Sequence, residues 1–173
     1  MNILNEIVIR DMSPSDLEAV LELEHRIFPI PWTQEIFEYE MRREERALYL
    51  VVEVRGKIVG YLGAQVLGDE IHLTNMALTP ALRRRGIGTA LLLECLHRGI
   101  ERDARWMTLE VRENNPEARE FYRCFGFRDM GLRKNYYVDT GEDAVIMASR
   151  DLQGRYFQEL LAGIEAELAG KVG

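Results

Sequence analysis

Two short stretches combine residue types that could do chemistry. The run RRRGIG sets Arg83, Arg84 and Arg85 directly before Gly86, Ile87 and Gly88, at the point where a strand-like segment gives way to a helix-like one. The first N–H groups of a helix have no internal partner, and the helix dipole adds about half a positive charge there. Glycines remove side chains from that backbone and arginines add charge, so the junction suits a diphosphate. Spacing alone leaves an ordinary arginine-rich helix entry equally open. The stretch lacks the Lys–Ser/Thr of a P-loop and the third glycine and acidic partner of a dinucleotide fingerprint. The second stretch is WMTLEVR. Alternation puts Trp106, Thr108, Glu110 and Arg112 on one strand face, with Met107, Leu109 and Val111 on the other. A carboxylate in mid-strand is partly desolvated, which favours accepting a proton. A polar sheet-face residue, or a partner for Arg112, is the other reading.

The surrounding segments supply the elements that must position these groups. EIVIR (6–10) predicts a strand. SPSD (13–16) begins a helix, with Ser13 as N-cap, Pro14 at the first position and Asp16 closing a capping box. Leu17, Val20, Leu21, Ile27 and Phe28 continue it at helical spacing. Glu24 falls on that stripe, either at its edge or as a charge pointing into a cleft. Pro29 and Pro31 end the helix, and Thr33 caps a second, with Trp32 and Phe37 placed as a hydrophobic staple. ALYLVVEV, KIVGYLGAQVL and EIHLTNMAL read as a three-stranded meander. A long helix follows over 86–103, then a strand at 105–111, so 70–111 is expected to form a parallel right-handed crossover. Asn115 and Pro116 open another helix, which Gly126 closes. Two further strands precede an amphipathic helix that begins at Arg155.

The chain has 173 residues and a formal net charge of −7. Its length suits a single domain, and its acidity argues against a nucleic-acid binder. Cys95 and Cys124 have no metal-ligand spacing and read as reduced thiols. The sequence shows neither a membrane-spanning apolar run nor a secretory signal pattern, so a cytoplasmic location and no membrane partner are expected. His25, His72 and His97 share no spacing and receive no role. No metal is implied.

Two motifs give the reading a family. Arg83, Gly86 and Gly88 resemble the acetyl-CoA signature R/Q-x-x-G-x-G/A of the GCN5-related N-acetyltransferase (GNAT) superfamily. Asn115, Ala118, Tyr122, Gly126 and Phe127 resemble its second signature, N-x-x-A-x-x-x-Y-x-x-x-G-F, in the right order and at the right separation. PWT, LEVRENN, FYRCFGF, RKNYY and EDAVIM together resemble the bacterial RimI group, whose members acetylate the α-amino group of ribosomal protein S18. The likeness covers roughly residues 6 to 150. The helix after it lies outside the usual short pattern.

This resemblance implies a mixed α/β GNAT fold: a mostly antiparallel twisted sheet of about seven strands, about four helices and an added C-terminal helix. It implies a GNAT domain over 1–150 and a helical extension over 151–173. It implies acetyl-CoA as cosubstrate, with pantetheine along Met76, Ala77 and Leu78, in a slot opened by a bulge in the fourth strand and its splay from the fifth. Phosphate would meet Arg83, Arg84, Arg85, Gly86, Ile87, Gly88 and Thr89, with Asn115 nearby. By the same resemblance Glu110 is the general base, Tyr122 the general acid, and the Leu78 N–H the donor to the thioester carbonyl. Glu24, Trp32, Tyr136 and Tyr137 would line the acceptor groove. The expected partner is a protein N-terminus, S18 in the RimI case, with the enzyme a monomer or weak homodimer. No cysteine holds a defined place in the signatures, so direct attack in a ternary complex is expected. The alternatives are acetylation of a small amine or of lysine side chains, or a coenzyme-binding module without turnover.

Overall fold

The computed structural model describes residues 2–172. The period-two segments form β1 (Ile7–Asp11), β2 (Ala47–Val54), β3 (Lys57–Leu67), β4 (Glu70–Leu78), β5 (Trp106–Arg112), β6 (Arg128–Tyr137) and β7 (Glu142–Arg150). They make one seven-stranded sheet in the order β1-β2-β3-β4-β5-β7-β6. Neighbours run antiparallel except β4 and β5, which are parallel because α3 (Ile87–Glu101) returns the chain across the sheet. The expected mixed, mostly antiparallel architecture is therefore observed, with α1 (Leu17–Ile27), α2 (Gln34–Met41), α3, α4 (Pro116–Cys124) and the added α5 (Arg155–Gly170).

Strand alternation divides the core into two layers. Along β2, Leu48, Leu50 and Val52 join the layer beneath α3, whereas Tyr49 and Val51 join the layer beneath α1 and α2. The local signals explain the helix ends. Asn115 Oδ1 accepts from Ala118 N at 3.1 Å, and Pro116 follows at the first helical position. Trp32 and Phe37 form the staple, ring centroids 5.3 Å apart, although Thr33 makes no side-chain capping bond. The Ser13–Asp16 box closes a single 3-10 turn ahead of α1 rather than α1 itself. Helix α5 docks on the α3 side, where Phe157 and Leu161 are buried in the same layer as Leu91 and Leu92. Burial of two such side chains stabilises that docking by roughly 3–6 kcal/mol in transfer free energy.

One irregularity shapes the centre of the sheet. Gly63 pairs with Asn75, but Ala64 pairs with Leu73, so Thr74 is an extra residue in β4. Its hydroxyl donates to the Gly63 carbonyl at 2.9 Å, which satisfies an acceptor at the bulge. The extra residue switches parity. Ile71 and Leu73 face the α3 layer before the bulge, and Met76 and Leu78 pack against that layer after it. The β4/β5 ladder runs from Glu70↔Trp106 only to Leu73↔Leu109, so the strands part immediately beyond the bulge.

Candidate active site

The bulge and the parting of β4 from β5 leave a free backbone edge. Thr79 N donates to Val59 O on β3 at 2.8 Å. Successive peptide groups alternate sides, so the N–H groups of Met76 and Leu78 turn to the opposite edge, where β5 has diverged. Arg83 Nε donates to the Leu78 carbonyl at 3.3 Å and so ties the end of β4 to the arginine loop.

That loop is sharply curved. Arg84 has φ 62° and Gly86 φ 86°, two left-handed residues within three positions. Such backbone gathers N–H groups into an anion-binding concavity. The two glycines serve different ends. A Cβ on Gly86 would lie 2.9 Å from Leu168 Cδ1 and 3.3 Å from a Leu4 methyl, so this glycine is required by its φ and by close packing against α5. A Cβ on Gly88 would sit 3.4 Å from Met76 Cε and 3.8 Å from Phe121 Cζ, between the end of β4 and α4. Gly86 is thus required by the turn and its packing, Gly88 by the narrow space between β4 and α4, and both line the same cavity. The Ile87 side chain is wholly buried in the core, leaving its peptide group as its contribution to the helix start. Arg85 is exposed and Arg84 approaches Glu117 at 3.7 Å.

A cavity of about 760 Å³ lies between these elements. Met76, Ala77 and Leu78 line one wall, and Arg83, Arg84, Gly86, Gly88 and Thr89 the next. Asn115, Ala118, Phe121 and Tyr122 line the wall formed by α4, and Ile164, Leu168 and Lys171 contribute from α5. Phe28 and Pro29, beyond α1, and Arg112 of β5 also reach it. Arg85 and Ile87 are absent from the lining.

Glu110 lies on the sheet face opposite the α3 layer, as alternation along β5 predicted. Its side chain is 11% exposed. Its partner is not Arg112. His72 Nε2 lies 2.8 Å from Glu110 Oε2, and Arg133 Nε lies 3.4 Å from Oε1. The hydrogen bond to His72, reinforced by the Arg133 charge, holds the carboxyl below its ordinary range despite burial. The same bond raises the His72 pKa. Arg112 instead pairs with Asp139 at 2.8 Å and stacks over the Tyr137 ring at 4.0 Å. Sequence reasoning missed His72. The signal was its place in a strand that pairs with the one bearing Glu110, but only the register brings them together.

Tyr122 is held by Phe121 and Phe127, with ring centroids 5.2 and 5.7 Å away. Burial pushes its phenol well above the usual value, so it keeps its proton at neutral pH. Asn115 is exposed, and its side-chain oxygen is committed to the helix cap.

The expected acceptor residues fall outside this cavity. Glu24 is 2% exposed, accepts from Trp32 N at 2.9 Å and accepts from the Tyr61 hydroxyl. Burial raises its pKa. It acts as an internal clamp on the segment that carries Trp32. Tyr136 is 44% exposed and stacks edge-on with Tyr137, centroids 5.1 Å apart. Both tyrosines lie where β6 loses register between Arg133 and Tyr137. Asp143 secures that irregular stretch, accepting from Asn135 N at 2.8 Å and from Lys134 Nζ at 2.9 Å. Asp143 was also missed, because a cross-strand clasp leaves no pattern in sequence.

An arginine-glycine helix entry, a bulged strand splayed from its parallel neighbour and an intervening cavity coincide with a family match. The model of the acetyltransferase (GNAT) family matches residues 17–127. The chain belongs to that family. It is thus an acetyltransferase, and its relatives narrow the comparison. A Bacillus subtilis protein carrying the provisional name [ribosomal protein bS18]-alanine N-acetyltransferase is 40% identical over 139 residues, 80% of this chain and 92% of its own. The crystal structure of the Escherichia coli ribosomal-protein-S18-alanine N-acetyltransferase superposes with a TM-score of 0.77 at 33% identity, over 84% of this chain and 94% of that one. Arabidopsis thaliana Naa50, solved with a bisubstrate analogue joining CoA to a peptide, shares the fold with a TM-score of 0.74 at 18% identity, over 83% of this chain and 98% of that one. Within this GNAT chain, Arg83, Gly86 and Gly88 form the curved loop, and Asn115, Ala118 and Tyr122 line the facing helix.

Proposed function

We propose that this chain transfers the acetyl group of acetyl-CoA to the N-terminal amine of a protein, with the N-terminal alanine of ribosomal protein S18 as acceptor. One observation carries the chemistry. Beyond Leu73↔Leu109 β4 and β5 part, Met76, Ala77 and Leu78 of the freed stretch line the cavity, and Glu110 and His72 stand just before the parting on the sheet face opposite the α3 layer. The acceptor is carried over from the names of the relatives.

The site's residues fit the coenzyme. The Arg84–Gly88 backbone and Arg83 and Arg84 receive the diphosphate, and Gly88 lets it approach closely. The freed edge at Met76 and Leu78 takes the pantetheine amides as an added strand would. Leu78 N–H points to the thioester carbonyl and stabilises the oxyanion. On the opposite face, Glu110 with His72 accepts the proton that the amine loses. An α-amine titrates near 7.7–8.0, so this weak base suffices. As the new C–N bond forms and the C–S bond breaks, Tyr122 gives its proton to the departing sulfur. Holding both substrates in one geometry supplies much of the remaining rate.

The test is an intact-mass assay of the purified chain with acetyl-CoA and peptides having different N-terminal residues, alongside polyamines. A single acetyl group on the α-amine of alanine-initiated peptides is expected. Preferential acetylation of polyamines or of internal lysines would overturn the acceptor assignment. Absence of turnover on any amine would overturn the proposal.

A further inference from the structure

The helix beyond the family likeness changes role along its length. Phe157 and Leu161 are 3% and 2% exposed and anchor α5 in the core. One turn later the same apolar stripe continues as Ile164 and Leu168, but these are only partly buried and line the cavity. Lys171 follows three residues on, at the same face and the same cavity. The end of the helix is fixed in place. Leu168 packs against Gly86, Glu165 bonds to His97 of α3, and Asn5 Nδ2 donates to Val172 O at 3.3 Å.

The position of this wall is informative. Along the cavity, β4 comes first, the Arg84–Gly88 loop next and the last turns of α5 beyond Gly86. A coenzyme with its thioester at Leu78 and its diphosphate on that loop has only its nucleotide end left to place. Phe121 of α4 and the largely buried Phe125 that caps it line the same cavity as Ile164 and Leu168. Two apolar walls suit a flat aromatic base. Carboxylates also stand at the rim, namely Glu117, Glu120 and Glu167. Glu117 is engaged by Arg84, and among the described residues Lys171 has no ion-pair partner, so its charge stays available.

We propose that the last two turns of α5 hold the adenosine 3′-phosphate end of the coenzyme, with Ile164 and Leu168 against the adenine and Lys171 toward the 3′-phosphate. This rests on the acetyl-CoA reading above and extends it to a helix outside the family pattern. The helix acts as a selectivity element: it distinguishes the full coenzyme from truncated thioesters that the loop and β4 alone would accept.

Calorimetric titration of the full chain with acetyl-CoA, 3′-dephospho-acetyl-CoA and acetyl-phosphopantetheine tests it. The wild type is expected to favour acetyl-CoA over the dephospho form by about threefold to fivefold, as a solvent-exposed charge contact allows. Lys171→Ala should still bind acetyl-CoA but lose most of that preference. Ile164→Ala should weaken both nucleotide-bearing forms and leave acetyl-phosphopantetheine unchanged. An undiminished preference in Lys171→Ala, or an equal loss across all three ligands in Ile164→Ala, would overturn the role of α5 while leaving the coenzyme assignment standing. If the wild type bound none of the three, the coenzyme assignment itself would fall, and this inference with it.

Discussion

His72 Nε2 sits 2.8 Å from Glu110 Oε2, across the parallel strands β4 and β5. The pair makes opposite demands on pH. His72 is raised above its ordinary 6.5, so its stabilising contribution is complete below 6.5 and lost as pH rises through its folded value. Glu110 is lowered below its ordinary 4.5, so its contribution is present above 4.5 and lost as pH falls through its folded value. Stabilisation by the pair therefore peaks between those limits. Under the proposed mechanism catalysis would follow a different limb, with the pair most basic when His72 is neutral and Glu110 ionised.

The value of kcat/KM is accordingly expected to climb with pH through a step above 6.5, the ordinary His72 value. His72→Gln should abolish that step and leave only the titration of the amine itself. Glu110→Gln should lower kcat by about 10²-fold or more with little change in coenzyme affinity. A pH–rate profile of His72→Gln identical to wild type would remove His72 from proton transfer.

The glycines of the loop should separate cleanly. Gly86→Ala forces alanine to φ 86° and drives a methyl into Leu168, so a loss of about 1–3 kcal/mol and weaker coenzyme binding are expected. Gly88→Ala meets a flexible Met76 methyl at 3.4 Å, which can yield, so stability should hold while the added methyl hinders the diphosphate and weakens coenzyme binding. Thermal melts and acetyl-CoA titration of both variants check the contrast, which fails if the two behave alike.

Arg84 lines the cavity and Arg85 does not. Arg84→Ala should raise the acetyl-CoA KM several-fold, by an amount that shrinks as added salt screens the charge. Arg85→Ala should have little effect. Steady-state kinetics at low and high ionic strength read both, and equal effects would mean that bulk charge, not placement, attracts the coenzyme.

Glu24 should act through the segment it clamps. Glu24→Ala would strand Trp32 N–H and the Tyr61 hydroxyl, costing about 1–3 kcal/mol of stability. The peptide KM should rise while the acetyl-CoA KM holds. Parallel kinetics with each substrate varied will show which constant moves.

Cys124 is exposed and lines the cavity, whereas burial pushes the Cys95 thiol to about 12. Under direct transfer, Cys124→Ser should retain activity within about twofold, since no nucleophilic intermediate is needed. A covalent acetyl adduct on Cys124 after mixing with acetyl-CoA, together with loss of turnover in the serine variant, would replace the ternary-complex route.

Much of the architecture was legible because it is local. The strands β2, β3 and β4 follow directly from alternating apolar residues, and α4 from Asn115, Pro116 and Gly126. What escaped was set by register. Thr74 looks like any strand residue, yet the pairing of its neighbours makes it a bulge. His72 and Glu110 are far apart in sequence, and no periodic pattern links residues on different strands. Glu24 sat on the apolar stripe as expected, but whether it faced a cleft or a clamp depended on Tyr61, which belongs to another element. The tail of α5 was read as amphipathic, but what its apolar face covers depended on where the helix docks.

The single surplus residue in β4 also bears on how this chain tolerates change. Shortening the strand by Thr74 would restore an unbroken two-residue rhythm from Glu70 to Leu78. Ile71, Leu73, Met76 and Leu78 would then all stay on the face beneath α3, and the register with β3 would run on without a break. What would go is the irregularity at which β4 leaves β5, together with the Thr74 hydroxyl bond to the Gly63 carbonyl. A one-codon deletion here should therefore leave the core packed but let β4 lie straight against β5, so that the damage falls on the opening between the strands rather than on folding.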